Sequence, residues 1–401
     1  MQGLKNIKTL KDFEFQDKVV FLRLDLNVPL HNGKITDETR ITASLPTIQY
    51  LRDKGARIVM ASHLGRPKTR EDNEFSLEPV AKRLSELLNT EVLLLDEVES
   101  AAIKHLVMGM KRNQLVLLEN IRFEEGETED SEELAQELAK PCDFYINDAF
   151  GASHRAHATI HALPKLMKNR GVGFLIEKEI QFLDQLIHSP QRPYWAILGG
   201  AKVSDKIAVI EKLLDIVDGF VVGGAMAYTF LKALGHSVGS SRVENDKVKF
   251  AAEMVERIKA RNKSLLLPVD HVISTSIKEV SNIKTTSDVN IPEGWMGVDV
   301  GPKTILQFHA ALKNAKTIFW NGPMGVFEVP QMSQGTFAIA KMLAEFDATK
   351  VVGGGDSAAA AEASGYANKM THISTGGGAS LEYLQGDHLP GLDAVRYKHG
   401  R

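Results

Sequence analysis

One feature constrains this chain more than any other: short β-forming runs alternate with longer stretches of helical spacing. In the first half the runs fall at 18–26, 57–62, 92–95, 114–119 and 143–147. In the second half they fall at 194–198, 219–223, 265–268, 316–320, 350–353 and 371–374. Between them lie helical patterns such as SLEPVAKRLSELLNT and DSEELAQELAKP. Such alternation is satisfied by parallel sheets covered by helices on both faces. Two sets of runs predict an α/β chain of two doubly wound halves. A length of 401 residues agrees, being too great for one comfortable core.

The stretch FLIEKEIQFLDQLIHS places Ile176, Ile180, Leu183 and Ile187 on one helical face and ends in SPQRP, a strong stop. We read a linker helix at about 175–189, an N-terminal domain over 1–174 and a C-terminal domain over 190–385, leaving 386–401 as a tail.

Every expected strand ends in small or polar residues: DLNVP, SHLGRP, LENIRF, NDAFGASHR, LGGAKVSDK, VGGAMA, WNGPMG, GGGDS and TGGGAS. In open α/β sheets ligands bind at the carboxyl ends of strands. One glycine-rich turn is usually just a tight turn. Nine on the same edge predict a binding edge.

The two edges differ in chemistry. The first carries Arg40, His63, Arg66, Arg122, His154 and Arg155. Singly, each arginine is more often a surface ion-pair residue; gathered at strand ends, their planar forks match a small, highly charged anion. The second edge carries glycines with Lys202 and Lys206, four apart on one helical face. VVGGGDSAAAAEA and STGGGASLEYL each run a strand through three glycines into a helix, exposing amides where phosphate binds. Asp356, beside those glycines, is placed to hold Mg²⁺ while phosphates supply other ligands.

Several function classes lose ground. A net charge of −3 weighs against a general nucleic-acid binder. Cys142 stands alone, fits a reducing compartment and reads as a small buried apolar residue. No apolar run reaches membrane-spanning or signal-peptide character, which points to a soluble cytoplasmic protein. The P-loop signature, a first-unit G-x-G-x-x-G and the protein-kinase signatures are all missing. GHSVG at 235–239 matches a nucleophile elbow in letters, but a helix precedes it and Gly235 suits that helix's end, so Ser237 is not favoured. His154, His157 and His161 offer a zinc site only weakly, since the glutamate of H-E-x-x-H is missing. A nicotinamide oxidoreductase, a serine hydrolase and a non-catalytic nucleotide-binding protein remain the alternatives.

Taken in order, RLDLNVP, SHLGRP, LLENIRF, NDAFGASHRAHAT, LGGAKVSDKI, WNGPMGVFE, GGGDSAAA and STGGGASLEYL resemble the motifs of phosphoglycerate kinases over nearly the whole chain. The resemblance implies two Rossmann-like domains joined by the linker helix, each carrying one substrate. It implies Mg²⁺-dependent transfer of the acyl phosphate of 1,3-bisphosphoglycerate to ADP, giving ATP and 3-phosphoglycerate.

By the same resemblance Asp25 and Asn27 contact the glycerate part, and Arg40, His63, Leu64, Gly65, Arg66, Arg122 and Arg155 bind the rest of 3-phosphoglycerate. Lys206 and Gly354, Gly355, Asp356 and Ser357 hold nucleotide phosphates, with Asp356 on Mg²⁺. Glu328 meets the ribose near Asn321; Gly199, Gly200 and Ala201 line the nucleotide site, and Gly223 and Gly224 the adenine pocket. Arg40, Lys202 and the N–H of Gly377 surround the phosphoryl group in flight. The tail packs back on the N-terminal domain, and the molecule is expected to be a monomer that closes about the linker helix. Arg23 has no assigned ligand role and reads as a partner of nearby carboxylates.

Overall fold

The computed structural model describes residues 3–96, 98, 100–110, 114–278, 280 and 282–398. The chain divides into two units, Met1–Gln181 with Asp387–Arg401, and Phe182–Gly386.

Apart from a short antiparallel pair, Leu30–His31 with Lys34–Ile35, the first unit is built on one sheet of six described strands: β1 (Val19–Leu24), β2 (Arg57–Ala61), β3 (Val92–Leu95), β4 (Leu115–Leu118), β5 (Phe144–Asp148) and β6 (Asn169–Val172). All pair in parallel in the order β3-β4-β2-β1-β5-β6. The β1 strand shows why a two-residue period need not mean a solvent face. Val20, Leu22 and Leu24 join a core with Ile48 and Leu51 of the helix Thr39–Asp53 and Val80 and Leu84 of the helix Glu78–Leu88. Full burial of each leucine contributes about 1.5–3 kcal/mol. On the opposite face Phe21 stacks on Tyr145 and Arg23 is wholly buried.

The second unit contains β7 (Tyr194–Leu198), β8 (Gly219–Val222), β9 (Ser264–Leu266), β10 (His271–Ser274), β11 (Ile283–Thr285), β12 (Met296–Val300), β13 (Thr317–Asn321), β14 (Thr349–Val352) and β15 (His372–Ile373). Its main sheet is parallel, in the order β9-β8-β7-β13-β14-β15. Between β9 and β13 the chain makes a separate antiparallel sheet, β11-β10-β12. Strand order reverses between β1 and β5 in one unit and between β7 and β13 in the other, the places where such sheets open a crevice for ligands.

The helix expected at 175–189 runs Phe174–His188. Its buried face is Ile176, Ile180, Leu183 and Leu186; Ile187 is only half-buried. Asp148, at the end of β5, accepts from the N–H groups of Leu175 and Ile176 at 2.9 and 3.2 Å and so caps the helix. In the tail, Gly391 N–H donates to Ser153 O at 2.9 Å and Tyr397 N–H to Asn6 O at 2.8 Å, both within the first unit. Residues 399–401 lie outside those described.

Candidate active site

In the first unit the expected residues form two linked groups at the carboxyl edge. The first lines a cavity of about 810 Å³. Arg66 comes from the turn after β2, Arg122 from the 3-10 turn Ile121–Phe123 after β4, and Arg155 from the loop after β5. Lys68 and Arg70 add positive charge, against Glu124, Glu125 and Glu129, and Arg70 is spent on Glu124 at 2.9 Å. The field is strongly cationic. Burial, then Arg155 and Arg23, pulls the Arg122 guanidinium down to about 10. Burial, then Arg122, Arg23 and Arg155, pulls His157 down to about 4. Arg122 Nε is buried without a hydrogen-bond partner. Such a cluster is chemically suited to an anion.

The second group is Asp25, Arg40 and His63, none of which lines that cavity. Arg40 Nη1 lies 2.5 Å from Asp25 Oδ1. Burial pulls the Asp25 carboxyl up, but the guanidinium groups of Arg40 and then Arg23 outweigh it and hold the group below its usual value. Burial, against the pull of Asp25, drives His63 well below the ordinary imidazole range, so it is neutral at pH 7. Asn27 Oδ1 accepts from Gly65 N–H at 2.8 Å, and Arg122 donates to Gly65 O, so Gly65 is held from two strand ends. Leu64 is buried, and its backbone is bonded to Asn120.

Beneath both groups lies a network for which the sequence offers little signal. Arg23 Nε donates to Thr159 Oγ1 at 2.8 Å, and Arg23 Nη2 stands 3.6 Å from Glu127 Oε1 and 3.4 Å from His63 Nδ1. Glu127 also accepts from Thr159 N–H and Oγ1 at 2.9 and 2.7 Å. Glu127 sits in an acidic run that reads as surface, so only the fold reveals it as buried.

In the second unit, a cavity of about 200 Å³ is lined by Gly200, Ala201, Gly224, Glu328 and Asp356 among the expected residues. Tyr228, Gly297, Val298, Pro323, Met324 and Phe327 are among the others in its wall. Gly199 and Gly223 lie behind that wall, where backbones approach closely. A Cβ on Gly199 would stand 2.2 Å from Pro323 O; one on Gly224, which has φ +65°, would stand 2.5 Å from Gly200 N. Only glycine fits there.

The remaining expected residues do not line this cavity; of the turn 354–357 only Asp356 does. Gly354, Gly355, Asp356 and Ser357 open the helix Gly355–Ala363. Ala358 N–H takes Gly354 O, leaving the N–H groups of the first turn as anion donors. The Ser357 hydroxyl is committed elsewhere, accepting from Gly322 N–H at 2.5 Å. Asn321 Nδ2 donates to Gly353 O at 2.5 Å, while its Oδ1 is buried without a partner. Burial, opposed by Asp205 and Asp356, lowers Lys206. Lys202 is exposed, and Gly377 directly precedes the helix Gly378–Gln385, with nothing within 4 Å of where a Cβ would stand.

The residues of the rival readings are otherwise engaged. Ser237 lies past the helix Met226–Ala233 and donates to Ile291 O at 2.9 Å. His161 pairs with Asp130 at 2.5 Å, and His154 accepts from Arg155 at 3.2 Å. Cys142 is half-buried rather than fully so, and burial, then Asp143, pushes its thiol up to about 12.

The family model for phosphoglycerate kinase matches residues 10–387. The chain is 68% identical over 394 residues to the phosphoglycerate kinase of Bdellovibrio bacteriovorus, covering 98% of each. The chain belongs to the phosphoglycerate kinase family. It is also 51% identical over 395 residues to the phosphoglycerate kinase of Clostridium perfringens, with 98% of this chain and 99% of that one covered. Among solved structures, it matches phosphoglycerate kinase from Coxiella burnetii with a TM-score of 0.88 at 39% identity, over 97% of this chain and 98% of that one. The match to phosphoglycerate kinase from Pyrococcus horikoshii has a TM-score of 0.83 at 32% identity, over 96% and 98%. Phosphoglycerate kinases are phosphotransferases with a carboxyl acceptor, and this chain is an enzyme of that kind.

Proposed function

We propose that the cationic edge of the first unit binds 3-phosphoglycerate and 1,3-bisphosphoglycerate, and that the glycine-lined edge of the second binds ADP and ATP. The observation that carries the reading is the convergence of Arg66, Arg122 and Arg155, from three separate strand ends, on one cavity. Those arginines take the phosphate; Arg40 and neutral His63 take the carboxylate end, with Asp25 and Asn27 at the hydroxyl. Glycines 199, 200, 223 and 224 with Ala201 seat the base, Glu328 and Asn321 the ribose side, and Lys206 with the amides of the 354–357 turn the phosphates.

The fold's chemistry suits the reaction. The carboxylate that attacks ATP in reverse has a pKa near ~4 and is already deprotonated, so no catalytic base is needed. What remains is positioning and neutralising charge on the transferring group. Arg40, Lys202 and Gly377 N–H fill that role. The donor set at Asp356 fits Mg²⁺: a single exposed carboxylate beside helix amides suits an ion that takes its other ligands from phosphates and water. Bound Mg²⁺ would offset phosphate charge. Both substrates are polyanions and repel, so separate binding followed by closure about the helix Phe174–His188 joins them and excludes water. Solution scattering tests this: a shift to a more closed profile is expected with both ligands, and identical profiles would refute it.

No described helix is long and apolar enough to cross a membrane. A single cysteine and net charge of −3 support a cytoplasmic protein that does not bind nucleic acid, and the family resemblance supports a monomer that does not bind membrane. Calorimetry tests the division of labour: 3-phosphoglycerate and Mg–ADP each bind alone, and Arg66→Ala weakens only the first. Equal weakening of both would overturn the assignment.

A further inference from the structure

We infer that Asn120 is a positioning residue for the acid substrate: it locks together the two turns that carry Arg66 and Arg122, and so sets the spacing of the anion pocket. Asn120 follows β4 and is 1% exposed. All four hydrogen-bonding positions of its carboxamide are used. Its Oδ1 accepts from Leu64 N–H and Arg122 N–H, both at 3.1 Å. Its Nδ2 donates to Leu64 O at 2.7 Å and Phe75 O at 2.9 Å. Two N–H groups on one side and two carbonyls on the other fix the orientation of the amide, and no other side chain of this size supplies two acceptor sites and two donors.

The consequence is geometric. Leu64 lies two residues before Arg66, and Arg122 is itself a lining residue of the 810 Å³ cavity. One buried amide thus ties the turn after β2 to the turn after β4. Its own main chain is fixed in turn, since Asn120 N–H donates to Glu119 Oε1 at 2.7 Å, and the same oxygen accepts from Leu77 N–H at 2.7 Å. Asn27 completes the frame from the other side by holding Gly65 N–H at 2.8 Å. Arginine pairs that must meet one anion gain from being held at fixed separation, because each side chain otherwise loses rotamer freedom on binding. Asn120 does not line the cavity; it acts through Leu64 and Arg122. The inference rests on the reading of this cavity as the 3-phosphoglycerate site.

The test uses the full-length enzyme carrying Asn120→Ser, with Asn120→Asp as the second variant. Serine cannot span to Phe75 O, and aspartate places a carboxyl oxygen against two carbonyls. Calorimetry reads Kd and binding stoichiometry for 3-phosphoglycerate and Mg–ADP, and steady-state kinetics reads KM for each substrate. The expected result is a rise of about tenfold or more in Kd and KM for 3-phosphoglycerate, with Mg–ADP binding within twofold of the parent and full stoichiometry for both. A residue that only stabilises the fold would lower the stoichiometry of active protein and leave both Kd values in place. Unchanged 3-phosphoglycerate affinity in either folded variant, or equal weakening of both ligands, would overturn the inference. Failure of the parent to bind 3-phosphoglycerate would instead overturn the site reading beneath it.

Discussion

Arg40 Nη1 stands 2.5 Å from Asp25 Oδ1, which turns an acidic residue at the cationic edge into an anchor for a cation. An unpaired carboxylate there would repel the substrate. Paired, it orients the guanidinium while leaving the remaining donors of Arg40 free.

Arg40→Ala is therefore expected to lower kcat by about 10²–10³, because a cation aimed at developing charge matters most in the transition state. Steady-state kinetics in both substrates checks this. A rise in KM with kcat intact would remove Arg40 from the transferring phosphoryl group.

Lys206 is half-buried within the field of Asp205 and Asp356, its ammonium lowered first by burial. Lys206→Ala should raise Kd for Mg–ADP about tenfold or more and leave 3-phosphoglycerate binding within twofold. Calorimetry with each ligand alone separates the outcomes. Equal loss for both would show that the lysine does not serve the nucleotide.

Gly199→Ala should be costly out of proportion to one methyl group. The added carbon would stand 2.2 Å from Pro323 O, which lies on backbone and not on a side chain that can swing away. The expected loss is about 1–3 kcal/mol of stability, with weaker nucleotide binding, because Pro323 lines the cavity proposed for the nucleotide. Urea unfolding of the variant and its affinity for Mg–ADP provide the check.

His271 makes an acid-stability prediction. Burial, only partly offset by the Val289 carbonyl, Asp270 and Asp288, pulls its imidazole down to about 4 from 6.5. Its Nε2 meets Val289 O at 3.0 Å, and its Nδ1 is buried without a partner. As pH falls below 6.5 the unfolded chain takes up a proton that the folded chain refuses, so stability falls until about pH 4 and then levels. One such group contributes a slope of at most ~1.4 kcal/mol per pH unit. His271→Gln should flatten the stability profile between those values in chemical denaturation at a series of pH values.

The sequence shows the parallel strands of both sheets plainly, except where a strand lacks a buried apolar run. The β6 strand reads NRGV, with two polar residues and a glycine, and lies at a sheet edge. The antiparallel sheet is hidden for the same reason: β11 is short and largely exposed. The cationic and glycine-rich edges are legible because residue type and strand-end position coincide. Arg23 is legible only as a partner of carboxylates, and Glu127 and Asn120 are not legible, since their importance comes from partners far away in sequence. Glu127 meets Thr159 across 32 residues, and Asn120 meets Leu64 across 56.

The most direct test is ATP consumption dependent on 3-phosphoglycerate, followed through glyceraldehyde-3-phosphate dehydrogenase in the presence of Mg²⁺. The account predicts turnover that requires 3-phosphoglycerate, ATP and the metal together, and that collapses in Arg40→Ala. Binding of both ligands without any turnover, or ATP consumption indifferent to 3-phosphoglycerate, would contradict it.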